Sequence, residues 1–313
     1  MNPRLLMGLA LALVSTAAFG TSGPFAKGLL VAGWTPAAAV TWRVVVGALT
    51  LLIPGVLAMR GRWGALKLHW IRIVMFGLLA VAGCQLAFFM AVDRLPVAIA
   101  LLLEYCGVVL VVLWLWVRRG QRPRRLTVVG AAVAVVGLMF VLDVFGVRSV
   151  DPIGAIWALA AAAGLAAYFL ISADDPGSAP TRDALPPIVL ASGGLVVAAV
   201  LLLVVGAVGI LPVEWSPVQA SLAGVALPWW LLVLALALVS TALPYAAGIM
   251  GNRRLGSKLA SFVGLSEVLF AVVWAWLLLG EMPAPVQLFG GLAILAGVVL
   301  IKLDEDSGRG AES

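Results

Sequence analysis

Charged side chains are scarce in this sequence. Only 11% of its 313 residues are Asp, Glu, Lys or Arg, whereas 64% are hydrophobic. Soluble domains carry roughly 25% charged residues, because their surface has to face water. So few charges cannot cover such a surface. The composition therefore excludes a water-soluble domain and predicts a protein embedded in the membrane.

Histidine and cysteine are also rare, with one histidine, His69, and two cysteines, Cys84 and Cys106. Most hydrolytic centres and zinc sites draw on these residue types. The sequence also has no glycine-rich loop of the kind that binds phosphate. It therefore predicts no catalytic residues, no metal site and no cofactor. We expect the two cysteines to act as small packing residues within helices.

Long apolar runs, by contrast, are abundant. A helix needs ~20 apolar residues to cross the hydrocarbon core, and a helix satisfies its own backbone hydrogen bonds in lipid. Ten such runs lie near residues 5–31, 36–58, 72–92, 97–117, 126–142, 153–173, 185–208, 228–251, 258–279 and 285–302. We therefore predict an all-α integral membrane protein with ten transmembrane helices.

Lys and Arg residues are distributed unevenly between the predicted loops. If the N-terminus is cytoplasmic, nearly all of them lie on the cytoplasmic side, including the arginine-rich segment 118–125, and only Arg94 and Arg148 lie outside. This bias is what the positive-inside rule expects. The sequence thus predicts a bacterial inner-membrane protein with both termini in the cytoplasm. The net charge of +6 then reflects membrane topology rather than a nucleic-acid partner.

The two halves of the chain resemble each other when the sequence is shifted by 160 residues. Identical residues then include the pairs Arg94/Arg254, Leu95/Leu255, Trp114/Trp274, Trp116/Trp276, Gly120/Gly280, Gly130/Gly290 and Gly137/Gly297. The arginine-rich segment 118–125, however, maps onto an apolar stretch, so the basic loop has moved to the opposite end of its helix. A repeat with an odd number of spans inserts upside down, and its basic loops must move to stay cytoplasmic.

We therefore predict two inverted five-helix repeats, over residues 1–145 and 146–303, followed by a disordered cytoplasmic tail at 304–313. Inverted repeats are typical of secondary transporters, whose substrates bind near the membrane midplane between the halves. The alternative is a duplicated scaffold that transports nothing. A longer polar loop at 174–183 is expected inside the second half.

Four charged residues lie within the predicted spans, where a charge at the helix centre costs about 2.5–3.5 kcal/mol. Lys27 follows a helix break at Gly20–Pro24 and either lines a cavity or extends to the outer headgroups. Arg43 either anchors its helix at the interface or binds a carboxylate through its guanidinium. Glu104 and Glu267 are expected to face the bundle interior, where each carries a proton, binds substrate or forms a static pair.

Polar side chains extend this set of candidates. Gln85 and Tyr245 are matched by the 160-residue shift, which suits a central cavity, although hydrogen bonding between helices is the alternative. Tyr105 follows Glu104, and Ser261 precedes Glu267 by less than two turns. The predicted substrate-binding residues are thus Lys27, Arg43, Gln85, Glu104, Tyr105, Tyr245, Ser261 and Glu267.

Several short motifs carry a family resemblance. They are Ala26-Lys27, Arg43 with Gly47, Arg94-Leu95-Pro96, Leu103-Glu104-Tyr105, Ser240-Thr241-Ala242-Leu243-Pro244-Tyr245, and Leu279-Gly280-Glu281 before a glycine-rich last span. They resemble the EamA-type branch of the drug/metabolite transporter superfamily, and within it the threonine/homoserine exporters. Members often have a proline after the glutamate of span nine, where this chain has Val268, so no proline kink is predicted there.

The resemblance implies ten helices in two inverted halves and efflux of a small amino acid or related metabolite, with coupling to protons as one option. We predict alternating access, with a small-molecule substrate and membrane lipid as partners, no nucleic acid, and a monomer or homodimer. The alternatives are export of drugs or hydrophobic cations through an acidic, aromatic site, a membrane-embedded enzyme, or a non-transporting scaffold.

Overall fold

Helices make up almost all of the fold. The computed structural model describes residues 3–61, 63–92, 94–95, 97–120, 123–141, 151–173, 184–280, 282 and 284–309. The α-helices are α1 (Pro3–Gly20), α2 (Ser22–Val31), α3 (Pro36–Ala58), α4 (Trp63–Met75), α5 (Cys84–Val92), α6 (Val97–Tyr105), α7 (Gly107–Arg119), α8 (Arg125–Val141), α9 (Pro152–Ser172), α10 (Pro187–Ala207), α11 (Trp229–Ala237), α12 (Leu243–Leu255), α13 (Ser257–Gly264), α14 (Ser266–Leu279) and α15 (Pro285–Arg309). Two π-helical segments, Phe76–Gly83 and Leu238–Ala242, join α4 to α5 and α11 to α12.

The described helices form ten apolar segments, numbered here in chain order. Segment 1 is α1 with α2, segment 2 is α3, segment 3 runs from α4 through a π-helical segment to α5, segment 4 is α6 with α7, segment 5 is α8, segment 6 is α9, segment 7 is α10, segment 8 runs from α11 through the other π-helical segment to α12, segment 9 is α13 with α14, and segment 10 is α15. Eight of them are long and apolar enough to cross a membrane, whereas the apolar stretches of segments 5 and 10, Arg125–Val141 and Pro285–Ile301, are shorter. The chain is therefore a multi-pass membrane protein.

Segment 3 begins earlier than expected, at Trp63 rather than near residue 72. The first turns of α4 contain Lys67 and His69. These residues lower the hydropathy of the stretch without breaking its helix, because lysine has a good helix propensity. Hydropathy alone therefore placed this boundary too late.

Five of the described segments are interrupted, and four of the interruptions occur in matched pairs. The fifth lies in segment 1, at Thr21. Segments 3 and 8 contain the π-helical turns. Segments 4 and 9 break at Cys106 and Leu265, where the backbone N–H bonds three residues back, to Leu103 at 3.2 Å and to Phe262 at 3.1 Å. No proline lies at either break. Under the 160-residue shift, the two breaks fall one position apart.

Segments 5 and 10 pack backbone to backbone through glycines. A Cβ added to Gly130 would lie 2.7 Å from the carbonyl oxygen of Gly297, and one added to Gly137 would lie 2.6 Å from that of Gly290. Small residues at such crossings allow close van der Waals packing in lipid, where no hydrophobic effect drives helices together. This contact therefore explains why glycine recurs at these positions.

The prediction of a purely helical chain misses one short hairpin. Strands β1 (Ala220–Leu222) and β2 (Val225–Leu227) pair antiparallel in the connection between segments 7 and 8. The two turn residues, Ala223 and Gly224, both have positive φ, at 54° and 75°, as a two-residue hairpin turn requires. The hairpin packs on α2, because the carbonyl of Ser221 approaches Gly28.

The C-terminal tail also differs from the prediction, because α15 continues to Arg309. Residues 304–309 are therefore helical rather than disordered. Asp304 is buried, accepts a hydrogen bond from Thr127 and lies 3.9 Å from the Nζ of Lys258. These contacts hold the end of α15 against α8 and α13. Residues 310–313, the polar loop 174–183 and the junction at 146–150 lie outside the described residues.

Candidate functional site

A cavity of about 320 Å³ lies between segments 1, 2, 3, 4, 6, 8 and 9. Its polar lining consists of Ser15, Thr16, Ser22, Arg43, Cys84, Gln85, Glu104, Tyr168, Tyr245, Asn252 and Glu267. Its aromatic lining adds Phe19, Phe88, Phe89 and Phe169 to the two tyrosines. The cavity thus combines both signs of charge with a large aromatic surface.

Segment 1 contributes a stripe of lining residues at helical spacing. Ser15, Phe19, Ser22 and Ala26 follow one another every three or four residues and all face the cavity, as expected for one face of a helix. The segment is broken at Thr21, whose hydroxyl donates to the carbonyl of Ala18 at 2.6 Å. The break therefore lies at the wall of the cavity.

Arg43 is buried at the cavity wall and holds three elements together. Its Nε donates to Thr241 at 3.1 Å, one terminal nitrogen donates to the hydroxyl of Ser22 at 3.1 Å, and the other donates to the carbonyl of Ser240 at 3.4 Å. All three acceptors are neutral oxygens. Among the residues that the structure describes, no carboxylate lies within salt-bridge distance of Arg43. Its charge therefore remains available to an anion in the cavity.

Glu104 lies in the last turn of α6 and faces the same cavity. The thiol of Cys84 donates to its Oε1 at 3.3 Å. The end of a helix, with its free carbonyl groups, favours a nearby cation. The position of Glu104 therefore suits the binding of an ammonium group.

Glu267 lies in the first turn of α14, directly after the break at Leu265. The N-terminal end of a helix favours a carboxylate, because free N–H groups point toward it. The hydroxyl of Tyr105 lies next to this carboxyl group, which is also within electrostatic range of Glu104 and Arg43. Two glutamates and one arginine, from three different segments, thus share one cavity.

Gln85 and Tyr245, which the internal repeat matches to each other, meet in the structure. Their side chains lie next to each other, and both line the cavity. Tyr245 also packs edge-on against Phe19, with 5.3 Å between the ring centroids. Tyr245 of segment 8 thus contacts both segment 3, through Gln85, and segment 1, through Phe19.

Three of the predicted site residues lie outside the lining of this cavity. Lys27 is exposed on α2. Tyr105 is buried beside a separate small void, next to Glu267. Ser261 is fully buried and donates to the carbonyl of Lys258 at 2.8 Å. The remaining five, Arg43, Gln85, Glu104, Tyr245 and Glu267, surround the cavity together.

Sequence reasoning missed several lining residues. Cys84 was expected only to pack, but it lines the cavity and bonds to Glu104. Asn252 and the phenylalanines were not singled out, because aromatic side chains in membrane helices usually pack in the core. Cys84 and Phe88 lie one turn apart and adjoin Gln85, which was predicted to line the cavity. This spacing is a signal that could have identified both residues.

The comparisons with known proteins agree with this picture. The family model described as the EamA-like transporter family matches residues 6–143 and 152–303. The chain therefore belongs to the EamA-like transporter family, which confirms the resemblance and places the chain among transporters rather than enzymes.

Individual relatives are similar over part of their length. The chain is 30% identical over 221 residues to the threonine/homoserine exporter RhtA of Escherichia coli (strain K12), which covers 69% of this chain and 66% of the relative. It is 29% identical over 222 residues to the exporter of the same name from Salmonella typhimurium (strain SL1344), covering 70% and 66%. The matched region thus spans slightly less than two thirds of these relatives. With these bacterial relatives, the apolar segments define a multi-pass inner-membrane protein.

One solved structure supports the fold. A chain whose title reads "Crystal structure of protein" superposes with a TM-score of 0.75 and covers 98% of this chain and 99% of its own length. The two sequences are 20% identical, so this likeness concerns the fold alone.

Proposed function

We propose that the protein is a secondary transporter that exports amino acids across the inner membrane by alternating access. The observation that carries the proposal is the cavity itself, which holds one guanidinium and two carboxylates at separate positions between the segments. Charged groups within a membrane protein are costly and mark substrate or ion pathways. A closed, static bundle would gain nothing from this arrangement.

Ten transmembrane helices in two inverted repeats, residues 1–145 and 146–303, are part of this proposal. The contacts of repeat-related residues support it. Gly8 packs on Arg254 and Leu255 of segment 8, and Gly154 packs on Arg94 and Leu95. The 160-residue shift maps Arg94 and Leu95 onto Arg254 and Leu255, so the residues contacted in the two cases are repeat-related. The same shift maps the contact between Gly130 and Gly297 onto that between Gly290 and Gly137.

The charges suit a zwitterion. Arg43 is hydrogen-bonded to neutral oxygens alone, so a substrate carboxylate can exchange for one of them and form a charge-assisted, bidentate contact. Glu104, at the end of α6, is placed to receive the ammonium group. Among the residues that the structure describes, no cation lies within salt-bridge distance of the second carboxylate, Glu267, and we assign it the coupling proton.

Two observations bear on the orientation of the chain in the membrane and on the direction of transport. The basic loops predict both termini in the cytoplasm, and the relatives in Escherichia coli and Salmonella are named exporters. The basic loops bear on orientation alone, and the names of the relatives favour movement of substrate out of the cell. A monomer or homodimer remains the prediction for the assembly.

Export of hydrophobic cations is the second candidate. Two carboxylates outnumber the single guanidinium, and six aromatic rings line the cavity, which suits an organic cation through cation–π contacts. This function would leave Arg43 without a role in binding. The two candidates therefore differ in whether the substrate needs a carboxylate.

The test is flux in vesicles that contain the purified protein. We expect an imposed pH gradient to drive accumulation of a radiolabelled amino acid, and Glu104→Gln to abolish it. Glu214→Gln is the matched control, because Glu214 lies on the exposed connection before the hairpin. Flux of amine cations alone, with no amino acid moved, would refute amino-acid export. Full pH-driven flux in the Glu104 variant would remove that residue from the mechanism.

A further inference from the structure

We propose that the substrate carries a large, flat apolar side chain, so that an aromatic amino acid fits this cavity better than threonine or homoserine does. The inference rests on the proposed amino-acid export. It concerns the part of the cavity that receives the side chain.

Four of the lining rings form one continuous aromatic surface. Phe19 contacts Tyr245 with 5.3 Å between centroids, Tyr245 contacts Tyr168 at 5.9 Å, and Tyr168 contacts Phe169 at 5.1 Å. Each pair meets edge to face, at interplanar angles of 80°, 78° and 81°. This is the geometry in which a further ring can join favourably.

The tyrosine hydroxyls are directed to protein partners. The hydroxyl of Tyr245 lies near Gln85, and that of Tyr168 lies near Ser15 and Asn252. With these polar ends beside protein groups, the rings present mainly carbon to the cavity. The surface is therefore suited to an apolar group.

The serine and threonine hydroxyls that line the cavity are also engaged. Ser15 donates to the carbonyl of Pro244 at 2.8 Å, Thr16 bonds to Ser266 at 3.0 Å, and Ser22 accepts from Arg43 at 3.1 Å. Protein partners therefore already orient these hydroxyls before a substrate binds.

The size of the cavity favours the same class. Its volume of about 320 Å³ lies in the range of ~300–1,000 Å³ typical of small-molecule sites. Threonine has no ring to cover the aromatic surface and would leave water against it. A substrate with an aromatic side chain would replace that water, and removing apolar surface from water is favourable.

The experiment compares the affinities of the purified wild-type protein in detergent for four ligands, by isothermal titration calorimetry. The ligands are L-phenylalanine, L-threonine, L-homoserine and phenethylamine, which has the ring and the amine but no carboxylate. We expect phenylalanine to bind about tenfold or more tightly than threonine, because burying the ring adds apolar contact. Phenethylamine should bind more weakly than phenylalanine.

Each outcome decides between the proposals. Threonine or homoserine binding as tightly as phenylalanine would overturn this inference and leave amino-acid export standing. No binding of any amino acid, with tight binding of phenethylamine, would overturn both.

Two variants test the aromatic surface itself. Phe19→Leu should reduce the ratio of phenylalanine to threonine affinity, because Phe19 lines the cavity and contacts Tyr245. Phe289→Leu is the matched control, since this phenylalanine is 71% exposed on segment 10 and should leave the ratio unchanged. An unchanged ratio in the Phe19 variant would count against the aromatic surface as the side-chain site.

Discussion

The buried guanidinium of Arg43 leads to the sharpest prediction, which concerns its replacement by glutamine. Glutamine keeps a hydrogen-bonding amide but loses the charge and the fork of donors. If Arg43 binds the substrate carboxylate, the lost charge-assisted hydrogen bond costs about 1.5–3 kcal/mol. This corresponds to a rise in Kd of about 10- to 150-fold. Arg43→Lys retains the charge without the fork and should fall between the two.

The assay is calorimetric titration of the three proteins with L-phenylalanine and with phenethylamine. The loss should be confined to phenylalanine, because phenethylamine has no carboxylate for Arg43 to bind. Arg124→Gln serves as the control, since Arg124 is exposed and precedes α8. Equal affinity of wild type and Arg43→Gln for phenylalanine, in a variant that melts cooperatively, would refute the assignment of Arg43 to the carboxylate. It would leave a purely structural role, namely joining α2, α3 and the second π-helical segment.

Two further predictions concern packing and access. Gly137→Val should lower the melting temperature in detergent, because its Cβ would lie 2.6 Å from a backbone oxygen of Gly290 and overpacking costs typically ~1–3 kcal/mol. Gly64→Ala is the control, because Gly64 has open space around it, and it should leave the melting temperature unchanged. Equal melting temperatures of the two variants would contradict this helix contact. A substrate should slow maleimide labelling of Cys84, which lines the cavity, when measured by mass spectrometry in a Cys106→Ser background; labelling at the same rate with and without substrate would place the substrate elsewhere.

The position of the helices was predictable because the signal is local. Hydropathy over ~20 residues indicates which stretches lie in lipid, and eight of the ten expected runs agree with the helices to within about four residues at their ends. The last helix continues beyond its expected run, to Arg309. The exceptions have local causes as well. Segment 3 starts early because its first, polar turns are helical. The hairpin at Ala220–Leu227 lies in a connection between segments, where hydropathy gives no signal for strands. No proline lies at the helical breaks at Cys106 and Leu265, so the sequence gives no signal for them.

The candidate site was predictable only in part. Arg43, Glu104 and Glu267 stood out because a charge in lipid is costly and needs a reason. The same reasoning selected Lys27, which the structure leaves exposed outside the cavity. Lys27 lies near the end of segment 1 and Arg43 near the start of segment 2, so both are close to the connection between these segments and depth in the membrane does not separate them. Their orientation about the helix axis does, and a single sequence carries no direct signal for it.

Composition and spacing alone determined that this chain is a multi-pass membrane protein, where its helices run and that its halves are related. These properties depend on residues close together in sequence, or on residues compared at a constant offset. Only the tertiary structure decided which polar groups meet. It brought Glu104 and Glu267 into one cavity with Arg43 and placed Cys84 beside Glu104 and Tyr105 beside Glu267. It also assembled four aromatic rings from segments 1, 6 and 8. Such contacts depend on how each helix is rotated and where it is interrupted, which the packing of all its neighbours sets together.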